Sequence, residues 1–330
     1  MQSDEKSVLI FGSGRSGTTW VQDALAEANE YGTVFEPLHP RCVRGAEEFA
    51  NLYIPRESRN ERLSEFLQPW LSGAKHSVWT SERVHPDLLF PRFADLNSVR
   101  SIRDTRKIYA KLVRRWWRNR SRRGRPLVIK LIRGNLMAEW MSDTFGLASA
   151  LVVRHPCAVL SSVARRHGKD WEPAALRNLL NRYVQQPLLA NKILDSGRIP
   201  VQKYRSLASV QTAIWCIENA RQLSSAGNSG VHVVYYEQLL AEPVSTWSML
   251  TDALGLRETP GKDLLLRPSQ QASIGTGAEV NSDKQLTDWQ TQLGGEELEE
   301  VSCVLSAFGV DTYSVDSPMP QTRAEPVVTP

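Results

Sequence analysis

Short apolar runs alternate along this chain with segments in which apolar residues recur at helical spacing. Five runs are typical of strands in a parallel sheet: 7–11, 34–35, 127–132, 150–153 and 231–235. Helices are predicted to start at Thr18 and to span 136–145, 156–166, 245–256 and 295–308. The segment 172–225 is predicted to form two long helices that are separated near Gly197 and Pro200. This alternation predicts a single α/β domain with a central parallel sheet flanked by helices.

Two stretches depart from this pattern and set the predicted domain bounds. Most of 41–125 lacks strong periodicity, although helical spacing returns over 103–120, and we interpret it as a substrate-specific insertion or lid. The tail 316–330 contains four prolines and is expected to be disordered. The sequence therefore predicts one domain over 1–315.

The first apolar run leads directly into a glycine loop, GSGRSG, and then into a helix that starts TTW. Unpaired amides and the helix dipole favour an anion at such a point. Gly12, Gly17 and Thr19 fit the Walker A pattern, but Thr18 stands where that pattern needs its lysine. The cation lies inside the loop as Arg15, which can fork onto phosphate or sulfate oxygens. The loop therefore suits a shorter anionic group than a triphosphate.

The run FGSGRSGTTW resembles the loop that binds the 5′-phosphosulfate in sulfotransferases that use 3′-phosphoadenosine 5′-phosphosulfate (PAPS). Its Arg-Ser-Gly-Thr-Thr form is similar to the tyrosylprotein and carbohydrate branches. The resemblance implies the P-loop sulfotransferase architecture, PAPS as co-substrate without a metal, and a set of loop residues that hold the phosphosulfate: Gly14, Arg15, Ser16, Gly17, Thr18 and Thr19.

Two later segments extend the resemblance to the rest of the nucleotide. The run LVVRHPCAVLSSVARR resembles the family's 3′-phosphate segment, and Arg154 at a strand end and Ser162 in the next helix can flank one phosphate. The adjacent Ser161 is an alternative to Ser162. The run YEQL resembles the family's Tyr-Glu-Asp-Leu, which implies that Tyr236 lies against the adenine.

Three residues are candidates for the transfer chemistry. Glu36 ends a strand and follows Arg15 by 21 residues, similar to the catalytic glutamate of the tyrosylprotein branch. As the base it would need a pKa raised by partial burial; His39 and His85 are alternatives. Lys130 is a lone cation in an apolar strand, and the resemblance implies that it stabilises the transferring group. Arg15 and Lys130 would balance charge on the leaving oxygen.

The sequence thus predicts sulfuryl transfer from PAPS to an acceptor hydroxyl, in a saccharide, glycoconjugate or glycolipid. A divergent P-loop kinase is one alternative, in which Glu237 would have to hold Mg²⁺. A non-catalytic nucleotide- or anion-binding protein is another, and it predicts that function survives loss of the Glu36 carboxylate.

Composition narrows the choice of partners. The net charge is only +4, but arginines crowd residues 114–125, which is typical either of a solvated helix end or of contact with a membrane surface or polyanion. No nucleic-acid-binding motif accompanies them, so no nucleic acid partner is predicted. The six histidines show no metal-site spacing, and no metal is inferred. Without a long apolar run or a signal-like start, a cytoplasmic location is expected.

Overall fold

The structure is a computed structural model that describes residues 5–83, 113, 124–167, 173–192, 194, 199–224, 229–267 and 282–321. Its strands are β1 (Val8–Phe11), β2 (Gly32–Phe35), β3 (Leu127–Leu131), β4 (Ser149–Val153) and β5 (Val231–Tyr235). They form one sheet in the order β2-β3-β1-β4-β5, in which β3 pairs in parallel with both β1 and β2. The predicted fold class, a single α/β domain with a central parallel sheet flanked by helices, is confirmed.

The described helices follow the chain in this order: α1 (Thr18–Ala28), α2 (Glu61–Leu71), α3 (Ala138–Phe145), α4 (Pro156–His167), α5 (Ala174–Val184), α6 (Pro187–Lys192), α7 (Leu207–Ser224), α8 (Tyr236–Ala241), α9 (Pro243–Ala253), α10 (Lys262–Leu265), α11 (Ser282–Gln292) and α12 (Gly295–Ala307). Short 3₁₀ turns occur at Ala46–Glu48, Asn135–Met137 and Val201–Lys203, and a π turn at Val78–Glu82. Among these helices, none combines the length and apolar character needed to cross a bilayer.

The helix pattern corrects the sequence prediction in two places. The described residues of 172–225 form three helices, α5 to α7, where two long ones were predicted. Pro187 lacks the backbone N–H that a continuous helix would need there, and it instead starts α6. Gly197 lies outside the described residues. Helix α11, around Leu286 and Trp289, was not predicted as a separate helix.

Several predictions fall partly or wholly outside the described residues. Within the predicted insertion at 41–125, the structure describes α2 and the turns before and after it. The predicted helix at 103–120 lies outside the described residues except for Val113, and the arginine-rich stretch except for Gly124 and Arg125. Arg125 forms an exposed ion pair with Glu30. The disorder of the tail and the domain bounds stay predictions.

Within the domain, the chain separates into two compact units. The first unit comprises 1–11, 18–149 and 251–272, and the second comprises 12–17, 150–250 and 273–330. In the first, β1 is fully buried, and the Gln22 side-chain amide of α1 donates to the carbonyls of Val34 and Val128 at 2.9 Å each. The register pairs Phe35 with Lys130 and Phe11 with Leu131. Parallel strands β1, β2 and β3 therefore all end at one edge of the sheet.

In the second unit, α7 forms the centre of the core and is buried along most of its length. The indole of Trp215 on α7 donates its N–H to the carbonyl of Arg154 at 2.9 Å. The backbone N–H of His155 donates to the Glu237 carboxylate at 2.8 Å. These bonds fix the backbone just beyond the end of β4, which is where the sequence places a phosphate-binding arginine.

Candidate active site

The glycine loop at 12–17 is closed by its own hydrogen bonds and shaped by two left-handed residues. The Ser16 hydroxyl donates to the Ser13 carbonyl at 2.8 Å, and the Ser16 amide donates to it at 3.2 Å. Arg15 has φ 72° and Gly17 has φ 90°, values that favour glycine. A Cβ added to Gly17 would lie 2.4 Å from Cδ2 of Tyr236. Only glycine at position 17 therefore lets the buried Tyr236 ring pack against the loop.

The structure brings Arg15 together with one of the two candidate serines. Arg15 Nε donates to the Ser162 hydroxyl at 2.9 Å. The Ser161 hydroxyl instead donates to Oε1 of Gln292 on α11 at 2.5 Å. The geometry therefore favours Ser162 over Ser161 as the serine that accompanies the loop.

Arg154 lies over the same loop and against the aromatic candidate. Its Nη1 donates to the Arg15 carbonyl and its Nη2 to the Gln285 carbonyl, each at 3.3 Å, and Cζ is 4.6 Å from the centre of the Tyr236 ring. Its Nε is buried and has no hydrogen-bond partner among the described residues. The Tyr236 hydroxyl donates to the Gln285 side chain. Gln285, on a helix that sequence reasoning did not predict, was missed because a lone glutamine carries no signal.

Positive charge accumulates around this loop. Partial burial, followed by the nearby charges of Arg166, Arg154 and Arg165, lowers the pKa of Arg15. In the loop itself, a Cβ built on Gly14 would meet nothing within 4 Å, so this face of the loop is open. An open cradle and several mutually repelling guanidiniums fit an anion with more than one phosphate or sulfate group. The residues that the resemblance assigned to the two ends of PAPS therefore suit that molecule.

Thr18 and Thr19, the last loop candidates, begin α1 in the first unit and are buried. In the same unit Glu36 follows β2 with φ 45°, a left-handed value that a non-glycine residue adopts only where its surroundings hold it. Its amide donates to the Lys130 carbonyl at 2.9 Å, and its own carbonyl accepts the indole N–H of Trp79 at 3.2 Å.

The Glu36 carboxylate is buried between two cations. Lys130 Nζ lies 2.8 Å from Oε1, and Arg133 Nη1 lies 2.6 Å from Oε2. Burial is the largest influence on the pKa of Glu36 and raises it, but Lys130 and Arg133 together outweigh burial, so the pKa is lowered. The raised pKa that Glu36 would need to act as the base is therefore not found. Lys130 Nζ also lies 4.2 Å from the centre of the Phe35 ring.

The other candidates near Glu36 have distinct positions. The ring of His39, three residues later, lies 4.5 Å from that of Trp79. His85 lies outside the described residues. Arg133 was missed by sequence reasoning, although it follows β3 by two residues and so comes at the sheet edge where candidates were sought. Trp79 comes from the predicted insertion, which therefore contributes to the surroundings of Glu36.

A buried histidine holds the end of β4 to the C-terminal segment of the second unit. His155 Nε2 is 3.0 Å from the Ser314 carbonyl and 3.1 Å from that of Ser317, and Nδ1 accepts the amide of Cys157 at 3.1 Å. The ring stacks on Trp289 with centres 4.5 Å apart. Because carbonyls can only accept, Nε2 must carry a proton, and because Nδ1 accepts an amide N–H, Nδ1 carries none. The ring of His155 is therefore neutral.

Acid is expected to weaken this tether. Burial, the largest influence, lowers the pKa of His155 to about 4, so between pH 6.5 and 4 the unfolded chain takes up this proton and the folded one does not. The stability contributed by the neutral ring is therefore lost as the pH falls through that window. We expect the stability advantage of wild type over His155→Asn to shrink by about 3 kcal/mol between pH 7 and pH 4 in urea titrations. An advantage independent of pH would contradict the neutral assignment.

The chain combines a parallel α/β sheet with an arginine-bearing glycine loop that follows its first strand. The chain belongs to the sulfotransferase family, whose family profile matches residues 7–260. A search of curated proteins finds no match. Among the described residues, no group of three or more His, Cys, Asp or Glu side chains is placed to hold a metal ion.

Solved structures similar to this chain include three sulfotransferases. The sulfotransferase domain of the Synechococcus PCC 7002 olefin synthase has 17% identity and a TM-score of 0.39, with 94% of this chain and 98% of that chain covered. The sulfotransferase domain from the curacin biosynthetic pathway has 14% identity and a TM-score of 0.38, with coverage of 92% and 98%. Sulfotransferase STF9 from Mycobacterium avium has 13% identity and a TM-score of 0.38, with coverage of 96% and 78%.

Proposed function

We propose that this chain is a PAPS-dependent sulfotransferase that transfers the sulfuryl group to a hydroxyl of a saccharide, glycoconjugate or glycolipid. The observation that supports this most directly is the contact of Arg15 with Ser162, beneath Arg154. Arg154 and Ser162, which follow Arg15 by 139 and 147 residues in the sequence, contact the same glycine loop there. The membership of the sulfotransferase family supports the same reaction class.

In this proposal most of the residues that bind the donor belong to the second unit. The loop residues from Gly14 to Gly17, with Thr18 and Thr19 at the start of α1, hold the 5′-phosphosulfate through backbone amides and the Arg15 guanidinium. Arg154 and Ser162 hold the 3′-phosphate, and Tyr236 provides a flat face for the adenine. The buried Nε of Arg154, which has no partner among the described residues, is a donor that an anionic ligand would satisfy.

PAPS supplies an activated sulfuryl group, and the chain supplies the proton acceptor and the charge balance. The acceptor hydroxyl forms a bond to sulfur and gives its proton to the Glu36 carboxylate. The bond from sulfur to the bridging phosphate oxygen breaks, and that oxygen leaves with the electron pair as adenosine 3′,5′-bisphosphate. Arg15 and Lys130 stabilise the charge that develops on the leaving oxygen. No covalent enzyme intermediate is needed.

The low pKa of Glu36 has two consequences for this role. The carboxylate is ionised at neutral pH, so the proton-accepting form is fully populated. Its affinity for a proton is nonetheless weakened by the two cations that hold it, which lowers the driving force for proton transfer. For Glu36 to be an efficient base, one of its two cationic partners must therefore interact with another anion when the acceptor is bound.

The geometry does not favour the kinase alternative. Glu237, its candidate Mg²⁺ ligand, accepts the His155 amide on Oε1 and the Tyr313 hydroxyl on Oε2, both at 2.8 Å. Burial, the largest influence, raises its pKa, which disfavours the ionised form that a metal would require. Both carboxylate oxygens therefore serve the core of the second unit.

Calorimetric titration with adenosine 3′,5′-bisphosphate and with Mg-ATP tests the proposed donor. We expect the bisphosphate to bind more tightly than Mg-ATP, and Arg154→Ala to weaken bisphosphate binding about 10- to 100-fold, because charge-assisted hydrogen bonds contribute about 1.5–3 kcal/mol. The control is Arg205→Ala, which removes an exposed arginine that donates to the neighbouring Tyr204 carbonyl. A preference for Mg-ATP, or indifference to Arg154, would overturn the proposal in favour of the kinase.

A further inference from the structure

Arg133 is the accessible member of the ionic cluster around Glu36. Its side chain is 24% exposed, whereas those of Lys130 and Glu36 are 3% and 7% exposed. The Arg133 carbonyl accepts the amide of Asn51 at 2.9 Å. The neighbouring Gly134 is so close to Phe11 that an added Cβ would lie 3.2 Å from its ring. The backbone that carries Arg133 is thus held in place, while the guanidinium reaches solvent.

Within the part of the chain that the structure describes, most of the hydrogen-bonding capacity of this guanidinium is unused. Arginine has five N–H donors in a planar fork. Arg133 uses Nη1 on Glu36 Oε2, and the structure shows no second protein acceptor for it among the described residues. The guanidinium can therefore donate to Glu36 on one side and to a second oxoanion on another, an arrangement that its planar set of donors allows and that a lysine ammonium does not match.

The charges of the cluster also leave room for an anion. One carboxylate, Glu36, faces two cations, Lys130 and Arg133. Arg83, whose Cζ lies 5.0 Å from the centre of the Phe35 ring, is neutralised separately by Asp23. His39, on the loop after Glu36, adds no negative charge. Among the described residues, the cluster thus has an excess of one positive charge, and that excess is carried by its solvent-accessible member.

We propose that Arg133 binds the acceptor, by recognising a carboxylate or sulfate group that the saccharide carries close to the hydroxyl to be sulfated. This inference rests on the proposed function and narrows its substrate class to acidic saccharides. A neutral saccharide would leave the excess charge and the unused donors unsatisfied, and so would bind more weakly.

This role also answers the difficulty of a carboxylate base held by two cations. An acceptor anion on Arg133 shares the guanidinium with Glu36 and weakens its electrostatic hold on that carboxylate. Glu36 then becomes a better proton acceptor when a correctly charged acceptor is present. Selection of the substrate and activation of the base would follow from the same contact.

Three 4-nitrophenyl glycosides test this inference without requiring turnover: the β-glucoside, the β-glucuronide and the 6-sulfo-β-glucoside. They differ only at C6, and comparing the last two distinguishes carboxylate from sulfate as the preferred group. In calorimetric titrations we expect wild type to bind at least one anionic glycoside about tenfold or more tightly than the glucoside, as one charge-assisted hydrogen bond would give. A wild type without this preference overturns the inference.

Variants then assign the preference to Arg133. Arg133→Gln is expected to abolish the preference for the anionic glycoside. Arg133→Lys is expected to reduce it, because an ammonium cannot form two parallel hydrogen bonds with one oxoanion. The lysine variant keeps a cation beside Glu36 and so serves as a second test if Arg133→Gln misfolds. Arg56→Gln, which breaks an exposed pair with Asp143, is the control and should keep the preference. An undiminished preference in both Arg133 variants would contradict the assignment. If the adenosine bisphosphate still binds in that case, the acceptor inference alone has failed and the proposed function has not.

Discussion

Replacing Glu36 with glutamine is expected to lower the rate of sulfuryl transfer by about 10²–10⁴-fold, the usual contribution of a positioned general base. The amide keeps the size of the side chain but cannot take a proton from the acceptor. Affinity for adenosine 3′,5′-bisphosphate is expected to stay the same, because the residues assigned to it belong to the loop and to the Arg154 segment. The measurement is transfer of labelled sulfuryl from PAPS to acceptors that wild type uses, alongside bisphosphate titrations.

Glu30 provides a closely matched control for this substitution. Like Glu36 it has a left-handed backbone, with φ 55°, and its carboxylate is paired with an arginine, but the pair is exposed to solvent. Glu30→Gln should therefore leave transfer unchanged. Transfer at the wild-type rate in Glu36→Gln would remove the base assignment and leave His39 and His85 as candidates. If wild type binds the bisphosphate but transfers to no hydroxyl, the non-catalytic alternative gains support.

The sequence carried enough information to predict the sheet and the loop, because both depend on local patterns. Val8–Phe11 is a continuous apolar run, and such a run followed by glycines specifies a buried parallel strand that ends in a glycine turn. The position of Gly146 as the stop of α3 was predictable for the same reason, since its φ of 60° suits glycine. Local chemistry determines each of these features without help from distant residues.

The ionic cluster depended on contacts that no local pattern encodes. Glu36 was identified from its position at a strand end, but its pKa shift could not be predicted, because its sign depends on Lys130 and Arg133, which are 94 and 97 residues away. Burial alone would have raised the pKa, as the sequence suggested. Likewise Trp79 contacts Glu36 from a stretch without clear periodicity, and only the folded backbone brings the two together.

The buried pair is also expected to dominate the stability of the first unit. Lys130→Met keeps the apolar stem against Phe35 but takes one of the two cations from the buried Glu36 carboxylate, so we expect it to lower the free energy of unfolding by about 3–5 kcal/mol. Arg125→Met breaks the ion pair between Arg125 and Glu30, which at 2.5 Å is shorter than the 2.8 Å pair between Lys130 and Glu36. The side chains of Arg125 and Glu30 are 45% and 71% exposed. The expected cost of Arg125→Met is at most about 1 kcal/mol, because water replaces the lost partner.

The contrast between these two variants isolates burial as the cause. Urea titrations measure both costs, and Lys130→Met combined with Glu36→Gln should cost less than the sum of the single substitutions, with a coupling of about 1–3 kcal/mol. The coupling is expected to fall short of the whole loss, because Arg133 still holds Glu36 when Lys130 is removed. Equal costs for Lys130→Met and Arg125→Met would mean that Glu36 is solvated despite its burial. In that case its pKa would be free to lie near the ordinary value, and neither cation could be said to weaken it as a base.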